Sequence, residues 1–276
     1  MAIRYKGKVR DWSMWNEPNI KGRTPAVITD FNIRTAEIIK RVIPDARIGA
    51  LVLTWPDPVM IEDFMKTLAE RKKLDLFEWI VFHLYSQNPD TAYPRVTRAA
   101  EIIRRYSPTI KLWQGEAGVQ SEWGPAGALS RYPWTELTQA KWMTRRMLGD
   151  IGHDLDSALL SIADLDYRTT PGHMGLLRYG LLKTAGAVEG FKVLAVKMAY
   201  YSVQNLVSVF NDDVELIFRY PCEVTCAKPD SGFPALILTW RARSRPGSLP
   251  RSCKPLRVGY TFSHLPAAAE TGESRL

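Results

Sequence analysis

Two glutamates stand where a strand runs into a turn. Glu17 lies in Trp15-Asn16-Glu17-Pro18-Asn19, and Glu116 lies in Trp113-Gln114-Gly115-Glu116-Ala117-Gly118. Pro18 ends the first strand, because it lacks an amide donor and disfavours right-handed helical backbone at the preceding residue. The glycines flanking Glu116 let a ligand or a neighbouring chain segment approach closely. Carboxylates at the C-terminal ends of parallel strands are where α/β barrels hold their reactive groups. Two of them facing each other suit cleavage of an acetal. One protonates the leaving oxygen while the other attacks the anomeric carbon, at a separation of about 5–5.5 Å when configuration is retained. The rival second carboxylates are Glu122 and Glu136, and Glu136 reads as a first-turn residue favoured by the helix dipole.

The spacing supports a shared rim. Glu17 and Glu116 are 99 residues apart, or 33 per unit over three strand–helix units, against about 31 per unit in a barrel of about 250 residues. A further strand, Ile80-Val81-Phe82-His83-Leu84-Tyr85, alternates so that Ile80, Phe82 and Leu84 suit the face packed on helices. His83 and Tyr85 then share the side that carries the glutamates. Trp15, Trp55 and Trp123 fall at strand ends or on the following loops, where an indole offers a flat apolar face to a pyranose ring. His153 and His173 read as isolated loop residues, and no His, Asp and Glu spacing suggests a metal site.

The elements that must position these groups alternate along the chain. Strands are predicted at 9–15, 47–53, 76–85, 109–115 and 156–167, and helices at 30–42, 59–71, 95–106, 135–148 and 193–209. Asp30 is the expected cap of the first helix. Apolar residues recur at i, i+3, i+4 and i+7 in the helices, as in Ile61, Phe64, Met65 and Leu68. The strands are nearly continuous apolar runs, as when both faces are covered. Five such units predict a parallel α/β sheet. Residues 210–240 read as a short β-rich segment, and 241–276 as a basic, unstructured tail rich in Arg, Ser and Pro.

The Trp-Asn-Glu-Pro-Asn motif resembles the fourth-strand motif of clan A glycoside hydrolases, the (β/α)8 TIM-barrel group of retaining enzymes, with families 5 and 39 nearest in character. The resemblance covers about residues 5–209. It implies Glu17 as general acid/base, Glu116 as nucleophile at the end of the seventh strand, and Asn16 as a hydrogen-bond partner of the sugar 2-hydroxyl. It also implies that His83 and Tyr85 of the sixth strand contact the nucleophile or the sugar. The substrate implied is a poly- or oligosaccharide, cleaved without metal or organic cofactor. An extracytoplasmic home is what the resemblance implies, although no signal peptide is visible at residues 1–10. The fold expected is a partial TIM barrel made of strands 4–8. Three units, about 90 residues at the usual repeat, would precede residue 1. The chain is therefore expected to be a fragment, or to close its open sheet edges by association with itself or a partner. The eighth strand lacks the family's tryptophan, and Asp164, Asp166 or Tyr167 is the expected replacement. The alternative reading is a non-catalytic carbohydrate-binding protein on a degenerate barrel.

Composition narrows the classes. Of 276 residues, 46% are apolar and 24% charged, the balance of a globular chain. The net charge is +8, but +5 of it falls in 241–276, so the basic balance does not argue for a nucleic-acid partner. No uninterrupted apolar run reaches 18 residues, which excludes a membrane-spanning helix. No Gly-rich phosphate loop follows a strand. Cys222, Cys226 and Cys253 lack the partners for a zinc site and leave free thiols or one disulfide.

Overall fold

The computed structural model describes residues 1–124, 127–167, 170–184, 187–209, 214–223, 234–242 and 256–258. The chain divides into two compact units, 1–209 and 210–276. After a short helix α1 (Ala2–Tyr5), the first unit alternates strand and helix: β1 (Asp11–Ser13), α2 (Pro25–Val42), β2 (Arg47–Leu53), α3 (Pro58–Glu70), β3 (Trp79–His83), α4 (Tyr93–Tyr106), β4 (Lys111–Ala117), α5 (Glu136–Gly152) and β5 (Asp156–Leu159). The five strands form one parallel sheet in the order β1-β2-β3-β4-β5. Strand order follows chain order, so each helix is a crossover between neighbours, as in a partial TIM barrel.

The helices start at strong local signals. Thr24 caps α2 by accepting from the Val27 amide, and Pro25 opens the helix where its missing amide costs nothing. Asp30, expected as the cap, sits one turn inside and pairs with Arg71 at 2.5 Å. Asp57 caps α3 by accepting from the Val59 and Met60 amides, and Thr135 and Thr138 cap α5 reciprocally. Ile61, Phe64, Met65 and Leu68 of α3 are all at most 1% exposed. They join the same core as Ile48, Ala50, Ile80, Phe82 and Leu112 of the sheet. Truncating one of them to alanine costs about 2–5 kcal/mol.

The sheet is drawn tight by two small residues. A Cβ built on Gly49 or on Gly115 would lie 2.5 Å from a methyl of Val81, so Val81 fills the space that both glycines leave on β3's two neighbours. Three register shifts break the regular ladder near the strand ends, at Ala50/Leu53 of β2, between Gln114 and Glu116 of β4 where it pairs with β3, and between Gln114 and Ala117 where it pairs with β5.

Three expectations are corrected beyond β5. The predicted strand over 156–167 stops at Leu159, and Leu165–Tyr167 (β6) pairs antiparallel with Thr170–Gly172 (β7). A long hairpin follows, β8 (Leu177–Thr184) and β9 (Ala187–Val196). The helix expected from 193 begins only at Met198 (α6, Met198–Val209), because the apolar run Val193–Val196 completes β9. The second unit holds the antiparallel sheet β10 (Val214–Glu223), β11 (Pro234–Ala242) and β12 (Leu256–Val258). Of the residues expected to form an unstructured tail, Arg241 and Ala242 end β11 and Leu256–Val258 form β12, and the others lie outside the described residues, as do Cys226 and Cys253. Among the described residues, no helix is long and apolar enough to cross a membrane.

Candidate active site

Glu17 is positioned by an irregularity one strand away. Leu51 and Val52 of β2 both have positive φ, 69° and 46°, a conformation β-branched and bulky residues rarely adopt. The Leu51 amide, displaced from the ladder, is taken at 3.1 Å by Oδ1 of Asn32 on α2. Asn32 is fully buried and anchored by its own Nδ2 on the Ile28 carbonyl at 2.8 Å. The Val52 carbonyl then accepts the Glu17 amide at 2.9 Å. Glu17 itself is left-handed, with φ 47° and ψ 52°, between the end of β1 and the 3-10 turn Pro18–Lys21. Strained backbone of this kind persists where its surroundings over-determine it, and it concentrates at functional sites. Asn19 of the same motif exchanges two hydrogen bonds with Thr54, at 2.7 and 3.2 Å, which ties the turn to the loop carrying Trp55.

Glu116 arrives from β4, in register with His83 of β3. His83 is 2% exposed, and its Nδ1 lies 2.8 Å from Oε1 of Glu17 and 3.8 Å from Oε1 of Glu116. Tyr85 donates its hydroxyl to the same Oε1 of Glu116 at 2.6 Å. One oxygen from each carboxylate and a ring nitrogen of His83 lie within 4.8 Å of one another. The same donors would fit a metal ion, although the chemistry expected from the sequence uses none.

The glutamates open on a cavity of about 640 Å³, also lined by Thr54, Trp55, Leu84, Tyr85, Arg95 and Met174. That size suits a small ligand. Leu84, expected on the apolar face with Ile80 and Phe82, is 6% exposed within the same core and also borders the cavity. The other sequence candidates lie elsewhere. Asn16 is exposed and outside the cavity lining, Trp15 packs edge-on to Phe31 at 5.3 Å under Arg23, and Trp123 is 70% exposed. Reasoning from sequence missed Asn32, Thr54, Arg95 and Met174. Thr54 directly follows a strand, which was a usable signal. Arg95 had none, since it reads as an ordinary first-turn helix residue.

A second polar cluster lies beyond β4. Buried Lys197 donates to Ser121 at 2.9 Å, to Asp164 at 2.5 Å and to the His173 carbonyl at 3.2 Å. Burial pushes its ammonium below the usual lysine range, against the pull of Asp164. Asp164, a candidate sugar contact, is thus engaged by Lys197; the side chains of Asp166 and Tyr167 lie outside the described residues. Glu122 accepts from Arg178 at 2.7 Å and lies 3.1 Å from His173 Nδ1, so neither Glu122 nor His173 stands alone. Burial alone would push the Glu122 carboxyl up. Its Arg178 hydrogen bond and the charges of His173, Arg178 and Lys197 hold it below the usual range. His153 stacks on Tyr93 at 4.0 Å and bonds the Gly149 carbonyl.

No protein-family model matches the chain, and no curated protein matches it. Among solved structures, a family 39 glycoside hydrolase from Bacteroides cellulosilyticus WH2 superposes with a TM-score of 0.59 at 14% identity, over 87% of this chain and 46% of that one. A glucosidase from Croceicoccus marinus gives a TM-score of 0.46 at 15% identity, over 55% of this chain and 32% of that one. The chain therefore spans less than half the length of these two proteins. What the family 39 superposition establishes is the fold: the parallel sheet and its helices are built like part of a glycoside hydrolase barrel.

Proposed function

We propose that this chain carries the centre of a retaining glycosidase acting on a poly- or oligosaccharide. Glu17 begins protonated and gives its proton to the leaving glycosidic oxygen. Glu116, ionised, attacks the anomeric carbon and forms a glycosyl ester. Glu17 then takes a proton from water, which attacks the same carbon and releases Glu116. Tyr85 donates to Oε1 of Glu116, which leaves Oε2 for the attack. His83 orients Glu17 through the 2.8 Å contact of its Nδ1 and lies 3.8 Å from Glu116.

The observation that carries this reading is the separation. One oxygen of each carboxylate lies within 4.8 Å of one oxygen of the other, a closeness that supports the roughly 5–5.5 Å spacing of carboxyl groups in retaining enzymes. Inverting enzymes need about 6.5–9.5 Å to admit a water between them. Simple sugar binding requires no such pair. The test is hydrolysis of a panel of aryl glycosides by the folded chain, with the first-formed anomer read by proton NMR. Retained configuration is the expected result. Inverted product, or binding of glycans with no hydrolysis by the chain or by any longer product containing it, would overturn it in favour of inversion or of a binding protein.

A further inference from the structure

The cavity holds one cation among its described walls besides the two glutamates. Arg95, in the first turn of α4, lies with its guanidinium 5.3 Å from the centre of the Trp55 ring, and both side chains line the cavity. Of the other arginines on α4 and α5, Arg98 pairs with Glu101, Arg105 with Glu62 and Arg145 with Asp90. Arg47 and Arg23 also lie over tryptophans, but Arg47 is bound to Asp11, and Arg23 with Trp15 lies outside the cavity lining. Among the described residues no carboxylate pairs with Arg95. A guanidinium over an indole face is attracted to it without using its N–H donors, which lie in the guanidinium's own plane. A guanidinium has five donors and no acceptor, so what it leaves unmet is an anion, best a planar or tetrahedral one taken in two parallel hydrogen bonds.

We propose that Arg95, held on Trp55, selects an anionic sugar: a glycoside bearing a carboxylate, as in a uronic acid, or a sulfate ester. This rests on the glycosidase reading and names the substrate class of the same site. The two glutamates repel a second anion, so the charged substituent binds on the Arg95 wall. The glycosidic oxygen is thereby turned toward Glu17. Trp55 reaches that wall on the loop that Asn19 of the Glu17 turn ties through Thr54. The cation and the acid/base are therefore positioned by one connected piece of backbone.

The experiment is calorimetric or NMR titration of the full chain with methyl glucuronide and methyl galacturonide, with methyl glucoside and galactoside as neutral counterparts, and with methyl glucoside 6-sulfate. An anionic glycoside is expected to bind about tenfold or more tightly than its neutral counterpart, with a preference that weakens as salt rises. In Arg95→Met the ratio should fall to about one, and Arg95→Lys should restore part of it. Preference for the carboxylates names uronides as the source of the charge, and preference for the sulfate names sulfated sugars. Equal binding of charged and neutral sugars, or a preference that survives Arg95→Met, overturns the proposal and leaves the glycosidase reading standing. Folded protein that binds none of the panel overturns the proposal, while the glycosidase reading is decided separately by hydrolysis of the aryl glycosides.

Discussion

The Tyr85 hydroxyl and the Glu116 carboxylate are joined by a 2.6 Å hydrogen bond, with Tyr85 as donor. Tyr85 lies two residues past the end of β3 and Glu116 near the end of β4, so the bond links the mouths of two neighbouring strands. A donor on the attacking carboxylate fixes its rotation and stabilises its charge, both when it awaits the sugar and when it leaves. A hydrogen bond to a charged group is worth about 1.5–3 kcal/mol. Tyr85→Phe should therefore lower kcat roughly 10- to 100-fold with folding intact, read by steady-state kinetics and circular dichroism. A variant at full rate would remove Tyr85 from the machinery.

The two glutamates should respond differently to truncation. Glu116→Ala should abolish turnover, and added azide should restore it with product of inverted configuration, because a small anion fills the space of the lost nucleophile. In Glu17→Ala the loss should be about 10²–10⁴-fold, the usual size of acid/base assistance. That loss should shrink as the leaving group improves across a series of aryl glycosides. A loss independent of the leaving group would take the proton-transfer role away from Glu17.

Asn32 touches no part of the cavity yet holds the bulge that receives Glu17. Its Oδ1 takes the Leu51 amide and the neighbouring Val52 carbonyl takes the Glu17 amide. Asn32→Leu orphans a buried amide at a cost of about 1–3 kcal/mol, measurable as a lower urea midpoint. It should also lower kcat with little change in KM, since the acid/base moves and the sugar-binding walls do not. A stability loss with unaltered kcat would reduce Asn32 to a packing role.

Glu122 gives a pH dependence whose sign is determined. Arg178, His173 and Lys197 hold its carboxyl below the ordinary value of 4.5. A depressed carboxylate contributes stability above the unfolded pKa and loses it as pH falls through the folded one. The melting temperature of Glu122→Gln should thus lie below that of the native chain at pH 7. The two should converge as the pH drops below 4.5, past the folded pKa of Glu122. Exposure of the pair keeps the difference small. A gap that widens on acidification would contradict the charge pairing around Glu122.

Residues 47–53 show what local sequence can carry. Seven mostly branched and apolar residues were enough to delimit β2, because burial on both faces leaves a continuous apolar run. The helices were legible for a similar reason, since their buried stripes recur at 3.6 residues. Where the pattern failed, two elements met without a polar break. Val193–Val196 was absorbed into the following helix because an apolar run carries no period of its own, and only pairing with Leu177 and its neighbours makes it a strand.

By itself the amino-acid order determined the alternation of strand and helix, and it set Glu17 and Glu116 at strand ends, through Pro18 on one side and flanking glycines on the other. Tertiary structure alone decided the rest. The left-handed backbone at Glu17 exists because a bulge in β2 frees a carbonyl for it and Asn32 satisfies the amide left over. Arg95 reaches the cavity because Trp55, 40 residues earlier in the chain, lies under it. Such contacts join residues far apart in sequence, and periodicity and propensity describe only neighbours.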